Sequence, residues 1–116
     1  MIESVLIVDD DEALREVIAE ALSDEGLTVS CSANGLDALK VLRSGLRPDV
    51  ILLDLMMPVM DGWSFRDEQS RDPALAAIPV VVVTAAQWLH KPIDARAVVH
   101  KPFRLDELLG VMRRSG

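Results

Sequence analysis

Cysteine is nearly absent: Cys31 stands alone in 116 residues, so no internal disulfide can form. In the alternating stretch Thr28-Val29-Ser30-Cys31-Ser32 a small buried thiol is expected rather than a reactive one. Cations are scarce as well. Twelve Lys and Arg stand against nineteen Asp and Glu, and the net charge of −7 is the wrong sign for a nucleic-acid surface or an anionic membrane. Long apolar runs are missing too. None approaches a membrane span, and Met1-Ile2-Glu3-Ser4 lacks the basic and apolar regions of a signal peptide. A cytoplasmic protein is expected, with neither nucleic acid nor membrane as a direct partner. The length suits one domain, residues 1–116, able to bury roughly 60–70% of its unfolded surface without a structural metal.

What is present is a series of short apolar runs, each ending in a polar group. Val50-Ile51-Leu52-Leu53 ends in Asp54, followed by Leu55 and the turn sequence Met56-Met57-Pro58-Val59-Met60-Asp61-Gly62. By itself an acid there could cap a helix or form a turn. Ser4-Val5-Leu6-Ile7-Val8 ends in Asp9-Asp10-Asp11-Glu12, Val80-Val81-Val82-Val83 in Thr84, and Ala97-Val98-Val99-His100 in Lys101-Pro102-Phe103. Four strands whose C-terminal ends carry functional groups describe one edge of an open parallel sheet, the edge where such folds bind ligands.

Between the runs the period changes to that of helices. Ala13, Leu14, Val17, Ile18, Ala21 and Leu22 recur at helical spacing, with Asp11 or Glu12 as cap and Gly26 as stop. A short strand over 27–32 follows, and Asn34-Gly35 opens a second helix carrying Leu36, Leu39, Val41 and Leu42 before Gly45. A third helix is expected from Gly62 to about Arg71; it is almost wholly polar, so its inward face depends on Trp63 and Phe65. A last helix carries Leu105, Leu108, Leu109 and Met112 on one face. Strands apolar on both faces and alternating with helices imply a doubly wound α/β fold, a parallel sheet covered on both sides. That architecture serves many functions.

The exit of the first strand narrows the choice. A nucleotide- or flavin-binding fold places glycines or hydroxyls there to cradle phosphate, whereas this chain presents four carboxylates. If Asp54 meets Asp9 and Asp10, each close pair of like charges costs on the order of 4 kcal/mol at about 4 Å and an effective dielectric near 20. Such a cluster needs a cation. An all-oxygen set without cysteine or nearby histidine suits magnesium or manganese better than zinc. Lys101 adds a fixed positive charge and Thr84 a hydroxyl, both suited to the oxygens of a transferred phosphoryl group, with Asp54 as the nucleophile.

On Val8-Asp9-Asp10, on Leu53-Asp54 with Met57-Pro58-Val59-Met60-Asp61-Gly62, on Val83-Thr84-Ala85 and on Lys101-Pro102-Phe103, the chain resembles the receiver domains of two-component response regulators. The resemblance covers about residues 3–114. It implies a flavodoxin-like five-stranded parallel sheet of strand order 2-1-3-4-5. It also implies that Asp54 is the phosphoacceptor, taking its phosphoryl group from a histidine kinase or histidine phosphotransfer protein, and that phosphorylation shifts contact with a downstream protein. Asp10 would bind Mg2+ directly, Asp9 through water or from a second shell, and Asp54 and the backbone carbonyl of Met56 would be further ligands; Mn2+ could substitute. Thr84 and Lys101 would contact the phosphoryl group, and the Lys101-Pro102 bond would be cis. Asp11 and Glu12 read better as caps of the first helix than as ligands.

The chain departs from the family in the segment between Thr84 and Lys101, which is shorter than usual and contains Pro92. A parallel crossover needs about a dozen residues, so the fourth helix must be short, bent or missing. Val98 stands where many receivers carry a switching aromatic. A receiver-fold interaction module acting without phosphorylation is therefore the alternative function. A turnover phosphatase of the haloacid dehalogenase type would need an acid two residues after the nucleophile, where this chain has Met56. Of the remaining residues, His90 and His100 read as packing or solvent groups and Trp63 as core. Trp88 reads as packing over the missing helix.

Overall fold

The computed structural model describes residues 2–89 and 91–116; His90 lies outside them. Five strands form one parallel sheet: β1 (Ser4–Val8), β2 (Thr28–Ser32), β3 (Val50–Leu53), β4 (Val80–Thr84) and β5 (Ala97–His100), in the order β2-β1-β3-β4-β5. Four helices flank it among the described residues: α1 (Glu12–Asp24), α2 (Gly35–Arg43), α3 (Gly62–Arg71) and α4 (Leu105–Ser115). The doubly wound sheet, its strand order and the missing helix between β4 and β5 are as the sequence suggests.

Strand alternation produces two cores. Leu6, Val8, Ile51, Leu53, Val80 and Val82 face α2 and α3, where Leu39, Leu42, Trp63 and Phe65 meet them. Val5, Ile7, Leu52, Val81, Val83 and Val99 point the other way, towards Ile18 and Leu22 of α1 and Leu108 and Met112 of α4. Each aliphatic side chain fully buried in these layers stabilises the fold by about 1.5–3 kcal/mol, which is why both faces of the central strands are apolar.

Helix starts follow local chemistry. Asp11 accepts from the Leu14 amide at 3.1 Å, Asn34 from Asp37 at 2.9 Å, and Asp61 from Ser64 at 2.8 Å, so three of the four helices are capped by a side-chain oxygen. Gly26, at φ +88°, follows α1 in a conformation that an L side chain disfavours.

Two expectations need correction. Cys31 is exposed rather than buried: β2 is an edge strand paired only with β1, and its residues before Ser32 are at most half-covered. Trp88 is 87% exposed, so it does not fill the space of the missing helix. Among the described residues, the space of the missing helix is closed instead by 85–89 and 91–96, a strap fastened to α3. Leu89, Ile93 and Ala95 of the strap pack against the α2/α3 core. Trp63 Nε1 donates to the Lys91 carbonyl at 3.3 Å, Arg66 Nε donates to the Asp94 carbonyl at 2.8 Å, and the Arg96 amide returns the chain to the sheet at Val80 O, 2.8 Å away. The polar α3 is therefore a clamp. Gln69, fully buried, donates from Nε2 to the carbonyls of Leu75 and Ile78 and so binds the loop before β4.

Gly62 begins α3 pressed against the end of β3. A Cβ there would lie 2.6 Å from the Asp54 carbonyl oxygen and 2.8 Å from Leu55 Cα. Gly62→Ala is expected to destabilise the protein by about 2–3 kcal/mol, because the clash is with backbone that cannot give way; an unchanged urea midpoint would contradict this packing.

Candidate functional site

The site is assembled by register. β1 and β3 run side by side with Val8 opposite Leu53, and the Asp54 amide donates to the Val8 carbonyl at 2.9 Å. The residues that leave these two central strands, Asp9 and Asp54, are thereby neighbours, and both are buried. Exposed Asp10 completes the group: one carboxylate oxygen from each of Asp9, Asp10 and Asp54 lies within 4.8 Å of the others. From the outer strands come Thr84, fully buried at the end of β4, and Lys101, just past β5. The Lys101 amide donates to the Thr84 carbonyl at 2.7 Å, which carries the lysine side chain to the same edge.

Lys101 Nζ lies 2.9 Å from Asp9 Oδ2 and 3.9 Å from Asp54 Oδ1. It is closer to Asp9, whose other oxygen accepts from the Asp11 amide at 2.9 Å. Arg15, on α1, donates to the Asp9 carbonyl at 2.7 Å and so fixes the backbone of the loop that presents both acids. That contact was not apparent from the sequence, since Arg15 looks like an ordinary surface residue of an amphipathic helix. The Thr84 hydroxyl accepts from the Ala86 amide at 3.1 Å. His100 is exposed, and its Nδ1 donates to the Ala86 carbonyl at 3.1 Å. The Lys101-Pro102 peptide is cis.

Asp54 ordinarily would ionise near 3.8, and here its pKa is raised to about 6. Burial is the largest cause and the Asp9 charge the next; Lys101 and the amides of Met56 and Leu55 pull the other way without prevailing. One ammonium beside three carboxylates leaves the cluster negative. Its donors are all oxygens, and one of them belongs to a carboxyl group held in a costly charged state, so the set fits a hard divalent cation.

The loop after Asp54 holds a strained turn. Met60 N donates to Pro58 O at 2.7 Å around Val59, whose φ is +69°, a conformation rare for a β-branched residue. The Pro58–Asp61 sequence signals a turn, but nothing in it marks Val59 as the strained position.

A doubly wound sheet with an acid cluster and a lysine gathered at its C-terminal edge defines a class of signalling domain. The chain belongs to the response regulator receiver domain family, whose model matches residues 5–113. It is 40% identical over 115 residues to response regulator MprA of Mycobacterium ulcerans, an alignment covering 94% of this chain and 48% of that protein. The chain thus spans about half the length of the curated relatives it matches. Its fold is similar to chemotaxis response regulator CheY4 of Vibrio cholerae, with a TM-score of 0.88, 29% identity and full coverage of both chains. It is also similar to response regulator TrrA of Thermotoga maritima in complex with Mg2+ and BeF, with a TM-score of 0.85, 29% identity, and 98% and 99% of the two chains covered.

The raised pKa has a consequence for stability without metal. In the native state Asp54 takes up its proton as the pH falls through about 6, whereas the unfolded chain does so only near 4. Ionised Asp54 therefore weakens the fold above the native pKa, and this penalty disappears below the unfolded one. In chelator, Asp54→Asn is expected to be more stable than the parent by on the order of 2 kcal/mol at about pH 8, with the gap closing by about pH 4. Urea titrations at the two pH values check this, and a gap that widens on acidification would reverse the assignment.

Proposed function

We propose that Asp54 is the phosphoacceptor of a two-component system. The observation that carries this reading is the convergence of Asp54, Asp9, Asp10 and Lys101 at one sheet edge, with a buried carboxylate at its centre. An oxygen of ionised Asp54 attacks the phosphorus of a phosphohistidine on a histidine kinase or phosphotransfer protein. The new O–P bond forms as the P–N bond breaks, and the imidazole leaves with the electron pair and takes a proton. Lys101 lies close enough to Asp54 to meet the incoming phosphoryl oxygens, and Thr84 supplies a hydroxyl from the neighbouring strand end.

Asp9, Asp10, Asp54 and the Met56 backbone carbonyl are the groups that would hold Mg2+, with Mn2+ as substitute. Bound there, the ion would offset the carboxylate repulsion and supply positive charge for phosphoryl oxygens beside Asp54. The complex of the similar TrrA with Mg2+ and BeF supports this choice. The phosphorylated chain then acts as a regulator through a downstream protein and turns over no external substrate. Residues 1–116 form one receiver domain in this reading. Its place in this reading is the cytoplasm.

Incubation with acetyl phosphate and Mg2+, read by intact mass, tests the proposal. The parent is expected to gain one phosphoryl mass, and neither Asp54→Asn nor the parent in chelator should do so. Lys101→Met separates the roles of the site. Loss of the ammonium next to Asp9 makes the cluster more negative, so Mg2+ should bind more tightly while phosphorylation slows by about tenfold or more. Failure of folded protein to form any adduct, with rapid quenching, would leave the phosphorylation-independent interaction module as the better account of the rebuilt strap.

A further inference from the structure

We propose that Arg15 is a positioning residue of the acidic edge: it sets the direction in which Asp10 offers its carboxylate, and thereby the affinity for a divalent cation. This rests on the reading of Asp9, Asp10 and Asp54 as a Mg2+ site and names a residue outside the ligand set on which that site depends.

Asp9 and Asp10 are neighbours in the chain, yet they are held very differently. Buried Asp9 has a partner for every polar group. Its amide donates to the Ser32 carbonyl at 3.1 Å, one carboxylate oxygen accepts from the Asp11 amide at 2.9 Å, and the other accepts from Lys101 Nζ at 2.9 Å. Asp10 is exposed, and among the described residues its carboxylate has neither a hydrogen-bond nor an ion-pair partner. Its direction is therefore set by the backbone. The Asp9 carbonyl belongs to the planar peptide unit that joins Asp9 to Asp10, so whatever fixes that carbonyl also fixes one side of the Asp10 Cα. Arg15 Nη1 does so, donating to it at 2.7 Å. The half-buried arginine comes from the first turn of α1, and the start of α1 is tied to the same loop by Asp11, whose side chain accepts from the Leu14 amide. A rigid planar guanidinium on a helix is a firm support for one peptide plane.

The charge of Arg15 makes this role separable from plain electrostatics. Among the described residues no ion pair engages the guanidinium, so its positive charge stands close to the acid cluster and opposes the entry of another cation. If charge alone mattered, removing Arg15 would tighten cation binding. A positioning role has the opposite sign, because a released peptide plane leaves Asp10 facing the other two acids for less of the time. Groups that orient metal ligands contribute about 10–100-fold to affinity, enough to outweigh one partly solvated charge.

Titration with Mn2+, followed by the electron paramagnetic resonance signal of the free ion, tests the proposal on the parent, Arg15→Met, Arg15→Ala and Arg15→Lys. Met and Ala are good helix formers, so α1 keeps its own stability in these variants. Both are expected to bind Mn2+ about tenfold more weakly than the parent. Lys, which can still donate to the carbonyl, should recover most of the loss. In the acetyl phosphate reaction Arg15→Met should need about tenfold more Mg2+ for half-maximal adduct formation and reach the parent's rate at saturation. Mn2+ binding by the Met and Ala variants that is equal to or tighter than the parent's overturns the proposal, as does a Lys variant no better than Met or a rate lowered equally at every Mg2+ concentration. A parent that binds Mn2+ yet takes no phosphoryl group would overturn the phosphoacceptor reading alone, and the Mn2+ comparison would still decide the role of Arg15.

Discussion

Everything at the acidic edge of the sheet depends on a repulsion that the fold enforces. Parallel register between β1 and β3 leaves Asp9 and Asp54 no freedom to part, since the Asp54 amide is bonded to the Val8 carbonyl and the strands behind both acids are buried on each face. Thr84 and Lys101 arrive by the same logic from β4 and β5. The two apolar layers therefore hold carboxylates in a place from which water is largely excluded. Lys101 and a few amides reduce the cost without cancelling it, as the raised pKa of Asp54 records. A group kept in an unfavourable charged state responds strongly to any cation or phosphoryl group that relieves it.

Much of this was legible in the sequence because the signals were strong and local. Strands apolar on both faces, with polar groups at one end, determine both the sheet and the edge, and Asp11, Asn34 and Asp61 mark helix starts with oxygens that find the expected amides. What escaped was tertiary. Gln69 and Arg66 sit on a helix that looks solvated, and only the folded chain shows that one is buried on the Leu75 and Ile78 carbonyls and the other is spread over Asp94. Cys31 misled because alternation is a sign of burial only when both sides of a strand are covered. Trp88 misled for a related reason: a large aromatic next to a deletion suggests filling, but Leu89, Ile93 and Ala95 already fill the space.

The strap also leaves a cost that locates its main anchor. Arg66 Nη1 and Gln69 Oε1 are buried without a hydrogen-bond partner, each a loss of about 1–3 kcal/mol in an apolar setting. Both belong to side chains whose other atoms hold backbone carbonyls of the loop before β4 or of the strap. The penalty falls on the residues that do the fastening. A regular helix in this position would satisfy its own carbonyls, whereas a strap must have them satisfied from outside, as Trp63 and Arg66 of α3 do at Lys91 and Asp94.

The strap and the site are joined through Ala86. Its amide is bonded to the Thr84 hydroxyl and its carbonyl to His100, so one residue connects the end of β4, the edge strand β5 and the start of the strap. In the proposed function, a Thr84 hydroxyl that turned to a phosphoryl group would alter the first of these bonds directly. Replacing a helix with this shorter connection thus keeps the chemical edge intact while changing which surface lies one residue away from it.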